Sequence, residues 1–439
     1  MSAETETITK AGTKITLGPY KTKIHQEELL ELLDLWEYAP GIKEQITELI
    51  RHRADELKGP HLFRYYNPRP SKVGAAEELF AEYLGVKHAL AVNSCTSALI
   101  AALRALGIGA GDEVIVPGYT FFASAAVIGA CNAIPVIADV DDTLTLDPKD
   151  VERRITPRTR AMIVVHMRGK PAQMDELMAI ATRHKLAVIE DVAQAAGGSY
   201  KGRMLGSIGT MGCFSFDYYK ILNSGEGSFV VTNDEWLHTR AQSWHDAAAC
   251  WRPNRYATER REGELFCGEN YRMSELQGAV ALAQIRKARK FIAGYRAAFT
   301  QIVGQLKLPA GVTLQRVADP VGDACSNLIL FLPSVEQTKQ ALTAMQTVGV
   351  PAGGIYDSKV KDWHIYTYWE HILGKKSVAR DGLPWTGVPA ADLPQYSKTM
   401  CPQCTDYLSR AIMIDIHWQY SKDDCAAIAG AINKVLANL

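Results

Sequence analysis

Seven short apolar runs lie between Lys87 and Asn233: KHALAVN, DEVIVPG, IPVIADV, RAMIVVH, KLAVIED, GCFSFD and GSFVVTN. They are rich in β-branched residues and carry few internal charges. Strands buried on both faces of a mostly parallel sheet read this way. Segments with helical spacing, such as SALIAALRALG and DELMAIATRHK, separate the earlier runs. The alternation predicts an α/β layer structure, with a mostly parallel seven-stranded sheet in a large domain.

A chain of 439 residues is too long for one core, so a second, smaller α+β domain is expected. We place an amino-terminal helical segment at 1–60, belonging to the small domain, the large domain at 61–295, and the rest of the small domain at 296–439. Within 26–57 the helical pattern is expected to break at Pro40 and Gly41. A long helix is expected over roughly 272–306.

The stretch Val114–Ala138 is uncharged for 25 residues, long enough to cross a bilayer. Pro117, Gly118, Asn132 and Pro135 punctuate it, so it reads as strand, helix, strand. Lys+Arg and Asp+Glu each total 48. Nothing in that balance points to nucleic acid or a membrane surface as the main partner, although net charge hides local basic patches. The opening MSAETETITKAGTK has no apolar signal core, which leads us to expect a cytoplasmic protein. Nine cysteines, an odd number, suggest free thiols in a reducing compartment. Cys401 and Cys404 form a C-x-x-C without a companion pair at zinc spacing, so no metal site is expected.

Four features follow the strands in order. Asn93-Ser94-Cys95-Thr96-Ser97 lies at a strand-to-helix turn, where backbone N–H groups and the helix dipole suit a phosphate. The same residues also serve as ordinary helix caps. Glu190-Asp191-Val192-Ala193-Gln194 places a carboxylate at a strand's carboxyl end, where it can meet a ligand or cap a helix. Ser215-Phe216-Asp217-Tyr218-Tyr219-Lys220 precedes Gly225-Glu226-Gly227. Lys220 there is placed to bond an aldehyde cofactor, or to lie on the surface against a tyrosine. Gly268 to Gln277, with Asn270 and Ser274, opens the long helix.

In their joint order and spacing these motifs resemble the DegT/StrS family of sugar aminotransferases dependent on pyridoxal 5′-phosphate (PLP). The motifs are NSCTSAL, VPGYTFFASA, PVIADVDDTLTLDP, VHMRGKPAQMD, IEDVAQAAGGSYKGRMLGSIG, FSFDYYKILNSGEG and ENYRMSELQGAVA. The resemblance runs from about LFRYYNP to LSRAIMIDIH. It implies the PLP-dependent transferase fold type I of aspartate aminotransferase. It also implies that Lys220 is the Schiff-base lysine, Asp191 the partner of the pyridine nitrogen and Gln194 the neighbour of the ring hydroxyl. Thr96, Ser97 and Ser215 match phosphate ligands, and Phe121 falls where an aromatic ring stacks on the cofactor. Asn270 matches a residue reaching the phosphate of the other subunit's cofactor, which implies a homodimer with shared sites.

The family's activity implies a ping-pong transfer. Glutamate or glutamine leaves its amino group on the cofactor as pyridoxamine 5′-phosphate, and a keto or aldehydo sugar, or a related polyol carbonyl, receives it. LFRYY and NYRMSELQGAVALAQ are similar to a branch that includes 8-amino-3,8-dideoxy-octulosonate transaminases, which suggests an acidic eight-carbon acceptor. Three positions depart from the common pattern: Cys95 in S-C-T, Ser228 after the GEG, and Arg168 in VHMRG. Arg168 is a candidate for a substrate carboxylate, because a guanidinium pairs with it in parallel. A sugar dehydratase of this family carries histidine at the lysine, so Lys220 argues against that alternative. A PLP-binding regulator without turnover is the other. A nicotinamide enzyme lacks support, since no G-x-G-x-x-G follows the first strand.

Overall fold

The computed structural model describes residues 7–10, 13–16, 23–57, 59–62, 70–248, 258–357 and 359–439. They divide into two units, Met1–Arg69 and Pro70–Leu439. Most of the LFRYYNP motif, residues 63–68, lies outside the described residues. In the first unit, β1 (Thr7–Lys10) pairs antiparallel with β2 (Thr13–Thr16). Helices α1 (Gln26–Leu33) and α2 (Ile42–His52) follow. The expected break falls between them: Gly41, with φ of 83°, is the N-cap of α2. A positive φ there suits glycine, which has no Cβ to clash.

The second unit opens with α3 (Lys72–Leu84), β3 (His88–Val92), α4 (Cys95–Ala105), β4 (Glu113–Pro117), α5 (Ala123–Ala130) and β5 (Ile134–Ala138). The strand–helix–strand reading of 114–138 is what forms. Next come α6 (Pro148–Arg154), β6 (Thr159–Val165), α7 (Met174–His184) and β7 (Ala187–Asp191). A short hairpin, β8 (Ser199–Tyr200) and β9 (Arg203–Met204), leads to β10 (Met211–Cys213), β11 (Ser228–Thr232) and α8 (Glu235–His245).

These strands form one seven-stranded sheet in the order β3-β11-β10-β7-β6-β4-β5. Only β11 runs against the rest, pairing antiparallel with β3 and β10. The other neighbours pair in parallel. Successive residues feed opposite faces, as the pleat requires. Val114 and Val116 join the core beneath α4, with Leu99 and Leu103. Ile115 joins the other core, with Phe80 of α3 and Leu177 of α7. Both faces are therefore covered, which is why the strands read as unbroken apolar runs.

Helix α9 (Glu275–Val303) starts at Ser274, whose hydroxyl and Gln277 form a capping box. Its first half packs on the large sheet through Ala281 and Ile285. Its last turns, with Ala298 and Ile302, enter a third core. That core belongs to β12 (Thr313–Leu314), β13 (Asn327–Phe331), α10 (Val335–Thr347) and β14 (Ala352–Gly354). Helices α11 (Glu370–Leu373) and α12 (Pro402–Ser409), strand β15 (Ala411–Asp415) and helix α13 (Lys422–Leu436) complete the chain. The second sheet is antiparallel, in the order β12-β13-β15-β14. A buried ion pair joins the loop after β6 to the approach to β13. Lys170 Nζ lies 2.9 Å from Asp323 and 2.6 Å from the Asn327 carbonyl oxygen, which accepts its proton. Removing one partner of such a pair strands a buried charge and costs about 3–5 kcal/mol.

Candidate active site

Five strands of the large sheet end along one edge, and the residues after their carboxyl ends turn toward one cavity. It measures about 880 Å³. Ligands in open α/β sheets sit outside these strand ends. After β3, Ser94 caps α4 by accepting the Ser97 N–H at 3.2 Å. Ser94, Cys95 and Thr96 face the cavity, so the first turn of α4 presents its positive dipole end there. Burial pushes the Cys95 thiol well up, and the nearby Asp191 carboxylate adds to this. A neutral thiol leaves the backbone dipole unopposed.

Asp191 ends β7 and is 4% exposed. Its Oδ2 accepts the Ser124 hydroxyl at 2.7 Å, and its Oδ1 accepts the Ala193 N–H at 3.0 Å. Burial pushes the carboxyl up, while the Ser124 hydroxyl, the Ala193 N–H and the Lys220 charge pull the other way. A buried carboxylate with a fixed donor on each oxygen is held in one orientation, and it lines the cavity where a cationic group can meet it. The adjacent Glu190 points elsewhere. His166 Nδ1 accepts the Ala172 N–H at 3.1 Å, so its ring proton is on Nε2 and donates to Glu190 at 3.0 Å. Glu190 also accepts the Gly206, Ile208 and Gly209 N–H groups. Burial alone would raise its carboxyl; His166 and these amides hold it below the usual range. Glu190 thus ties the loop before β10 in place.

Lys220 lies in the turn beyond β10, partly exposed, and lines the same cavity as Asp191. Its N–H donates to the Asp217 carbonyl at 3.0 Å. Ser215 is buried and also faces the cavity. At Gly227, with φ of 143°, a Cβ would meet the Ser224 Oγ at 2.8 Å and Met273 at 2.9 Å. This position fixes the turn that carries the lysine. Ser228, where the family pattern has glycine, is fully buried, and its hydroxyl donates to the Phe214 carbonyl.

Gln194 and Phe121 line the cavity as well. The Phe121 ring is 50% exposed, with the His364 ring 5.3 Å away. Arg168 follows β6 in a left-handed conformation, φ 56° and ψ 34°. That costs a non-glycine residue about 1–2 kcal/mol. In return its N–H donates to Gln194 Oε1 at 3.2 Å, and its Nε donates to the Tyr119 hydroxyl at 3.0 Å. Burial would lower the guanidinium's affinity for its proton, but Tyr119, Asp362 and Asp415 carry it above its ordinary value.

Two expected ligands lie apart from the cavity lining. Ser97 is 8% exposed, and its hydroxyl donates to Asn93 Oδ1 at 2.7 Å, completing the cap of α4. Asn270 is exposed, bridges to Asp246 and accepts the Arg272 N–H at 3.2 Å. Other residues enter the cavity without having been singled out from sequence. Ser124 and Thr120 lie inside the VPGYTFFASA motif, where hydroxyls one helical turn apart were the available signal. Asn327, His364 and Asp415 come from distant segments, and no local pattern marks them. Cys401 and Cys404 are buried thiols at the start of α12, and the Gln403 and Cys404 N–H groups donate to Asp139. Among the described residues no cluster of metal-ligating side chains is present, and no helix is long and apolar enough to cross a membrane.

The model of the DegT/DnrJ/EryC1/StrS aminotransferase family matches residues 69–378. The L-glutamine:2-deoxy-scyllo-inosose aminotransferase of Micromonospora echinospora is 40% identical over 252 residues, 56% of this chain and 59% of that protein. GDP-perosamine synthase of Caulobacter vibrioides is 43% identical over 223 residues, 49% of this chain and 57% of its own length. The chain thus spans less than two thirds of these relatives. The crystal structure of an aminotransferase from Psychrobacter cryohalolentis superposes with a TM-score of 0.70 at 28% identity, covering 92% of this chain and 98% of that one.

Proposed function

As this chain belongs to the DegT/DnrJ/EryC1/StrS aminotransferase family, we propose that it is a PLP-dependent aminotransferase. It takes the amino group of glutamine or glutamate and delivers it to the carbonyl of a keto sugar or related polyol. The observation that carries this reading is the meeting of Lys220 and the buried Asp191 in one cavity at the strand ends.

The residues present suit PLP. The first turn of α4 with Thr96, and Ser215 opposite, offers N–H and hydroxyl donors for a phosphate. Asp191 offers a buried acceptor for a protonated ring nitrogen, Gln194 a partner for the ring hydroxyl and Phe121 an apolar face. PLP supplies an aldehyde that condenses with amines and a ring that draws electrons from the adjoining carbon. The protein does the rest. Lys220 Nζ would hold the cofactor between turnovers, would take the proton from the donor's α-carbon to the cofactor, and in the second half-reaction would return one to the former carbonyl carbon of the acceptor. Asp191, held by Ser124 and Ala193, would accept from the protonated ring nitrogen. Arg168, through its own N–H, keeps the Gln194 amide oriented.

Two experiments test this reading. Glutamine added to purified holoenzyme converts the cofactor to its pyridoxamine form, and a keto polyol restores the starting absorbance; no conversion with either donor removes the aminotransferase assignment. For the shared homodimer site, mixing an inactive Lys220→Ala protein with an inactive Asn270→Ala protein restores part of the activity. One hybrid site then regains both residues. No recovery after verified subunit exchange counts against a contribution of Asn270 across subunits.

The finer reading, an acidic eight-carbon acceptor, rests on Arg168. Truncating one member of a desolvated charge pair costs about 2–5 kcal/mol, roughly 30- to 5000-fold in affinity. Arg168→Ala is therefore expected to weaken the acceptor half-reaction by that factor and to spare the donor half-reaction. Equal loss in both halves assigns Arg168 to the donor's carboxylate or to the frame of the site.

A further inference from the structure

We infer that Asn327 and Asp415 form a hydroxyl-recognition subsite that selects a polyhydroxylated acceptor. This rests on the aminotransferase reading above and names the chemistry its acceptor must offer. Asn327 opens β13 and Asp415 closes β15, and the two are direct cross-strand partners in the antiparallel register. Such partners project from the same face of a sheet. Both line the cavity that holds Lys220 and Asp191.

Asn327 Nδ2 donates to Asp415 Oδ1 at 2.6 Å. An ionised carboxylate only accepts, so the amide must turn its NH₂ toward Asp415. One oxygen of Asp415 is used in this way, and no described residue donates to the other. The pair therefore presents a carboxylate acceptor beside the second N–H of an amide. Adjacent hydroxyls of a cyclitol or sugar match that arrangement, donating to the carboxylate and accepting from the amide.

Asn327 is held in place, while Asp415 stands exposed at the end of its strand. Asn327 is 9% exposed, and its carbonyl accepts the buried Lys170 ammonium, itself paired with Asp323. Pre-set polar groups of this kind discriminate strongly, because a ligand lacking the hydroxyl leaves them unpaired. Asp415 and Arg168 line the same cavity, and the carboxylate acts electrostatically on the guanidinium.

The test uses holoenzyme and a probe with hydroxyls but no carbonyl. Inositol binding is followed by titration calorimetry, with cyclohexanol as the control, in wild type, Asp415→Ala and Asp415→Asn. We expect inositol to bind wild type. We expect affinity to fall at least about tenfold in Asp415→Ala and less in Asp415→Asn, with cyclohexanol failing to bind throughout. Thermal midpoints confirm that the variants are folded; should Asp415→Ala be unfolded, Asp415→Asn and Asn327→Ala provide the comparison. Unchanged inositol affinity in folded variants, or no inositol binding to wild type, overturns the subsite. A shift in the preference for glutamine over glutamate, with inositol binding unaltered, gives the pair to the donor side chain and equally overturns it. Failure of wild type to react with any amino donor would remove the aminotransferase reading, while the binding titration still decides the subsite.

Discussion

Replacing Lys220 by alanine leaves a folded protein that holds no cofactor covalently and has lost turnover. Lys220 sits in an exposed turn after β10, not in a core, so removing its side chain opens no apolar cavity. The large sheet and both flanking cores are untouched. Catalysis falls for two reasons. The attachment point for the aldehyde is gone, and so is the amine that moves the substrate proton. Positioned proton transfer alone contributes about 10²- to 10⁴-fold, so the loss is at least about 2.7 kcal/mol of barrier, and the lost attachment adds to it. Borohydride treatment followed by peptide mass analysis reads this directly. Wild type carries the cofactor mass on the peptide containing Lys220, and the variant carries none. A labelled peptide elsewhere in the variant would mean that another lysine holds the cofactor.

Asp191→Asn produces the second large effect, of a different kind. The amide keeps the shape of the carboxylate and the Ala193 contact, so the cofactor remains bound. It cannot hold a proton on the ring nitrogen by charge. Removing one pre-set electrostatic partner in a water-poor site costs about 10²- to 10³-fold in turnover. Rapid-mixing measurement of the donor half-reaction, with cofactor content measured separately, isolates the loss to the proton-transfer step. Near-normal turnover would take Asp191 out of this role. Ser124 acts behind it: its hydroxyl donates to Oδ2, and in the amide variant, where the single oxygen accepts the Ala193 N–H, the NH₂ takes the place of Oδ2 and that donation is lost.

Much of this site was legible because buried parallel strands leave a strong local record. The β-branched runs located all seven strands, and the hydroxyl, carboxylate and lysine residues at their ends were visible beside them. The direction of β11 was not. A short apolar run reads the same whichever way its strand runs, and β11 reverses between β3 and β10. The motifs also could not separate neighbours with different partners. Ser97 lies beside Thr96, yet its hydroxyl closes the α4 cap against Asn93. Glu190 lies beside Asp191, yet the pleat turns it to His166 and the loop amides. What stayed hidden was long-range. Asn327 and Asp415 meet across two strands separated by 88 positions, and only the folded second sheet brings them to the cavity. Arg168 was visible as a departure from the family pattern. Its left-handed backbone and its hold on Gln194 were not, because both depend on the course of the chain after β6.

The most direct test of the central claim follows a single nitrogen atom. Purified holoenzyme is incubated with glutamine labelled with ¹⁵N at the α-amino group and with each of a panel of keto sugars and cyclitol ketones, and the products are examined by mass spectrometry and NMR. The account predicts ¹⁵N bonded to the former carbonyl carbon of at least one acceptor in wild type and of none with Lys220→Ala. An unlabelled acceptor recovered unchanged across a panel of keto sugars and cyclitol ketones, from holoenzyme that consumes glutamine, would contradict it.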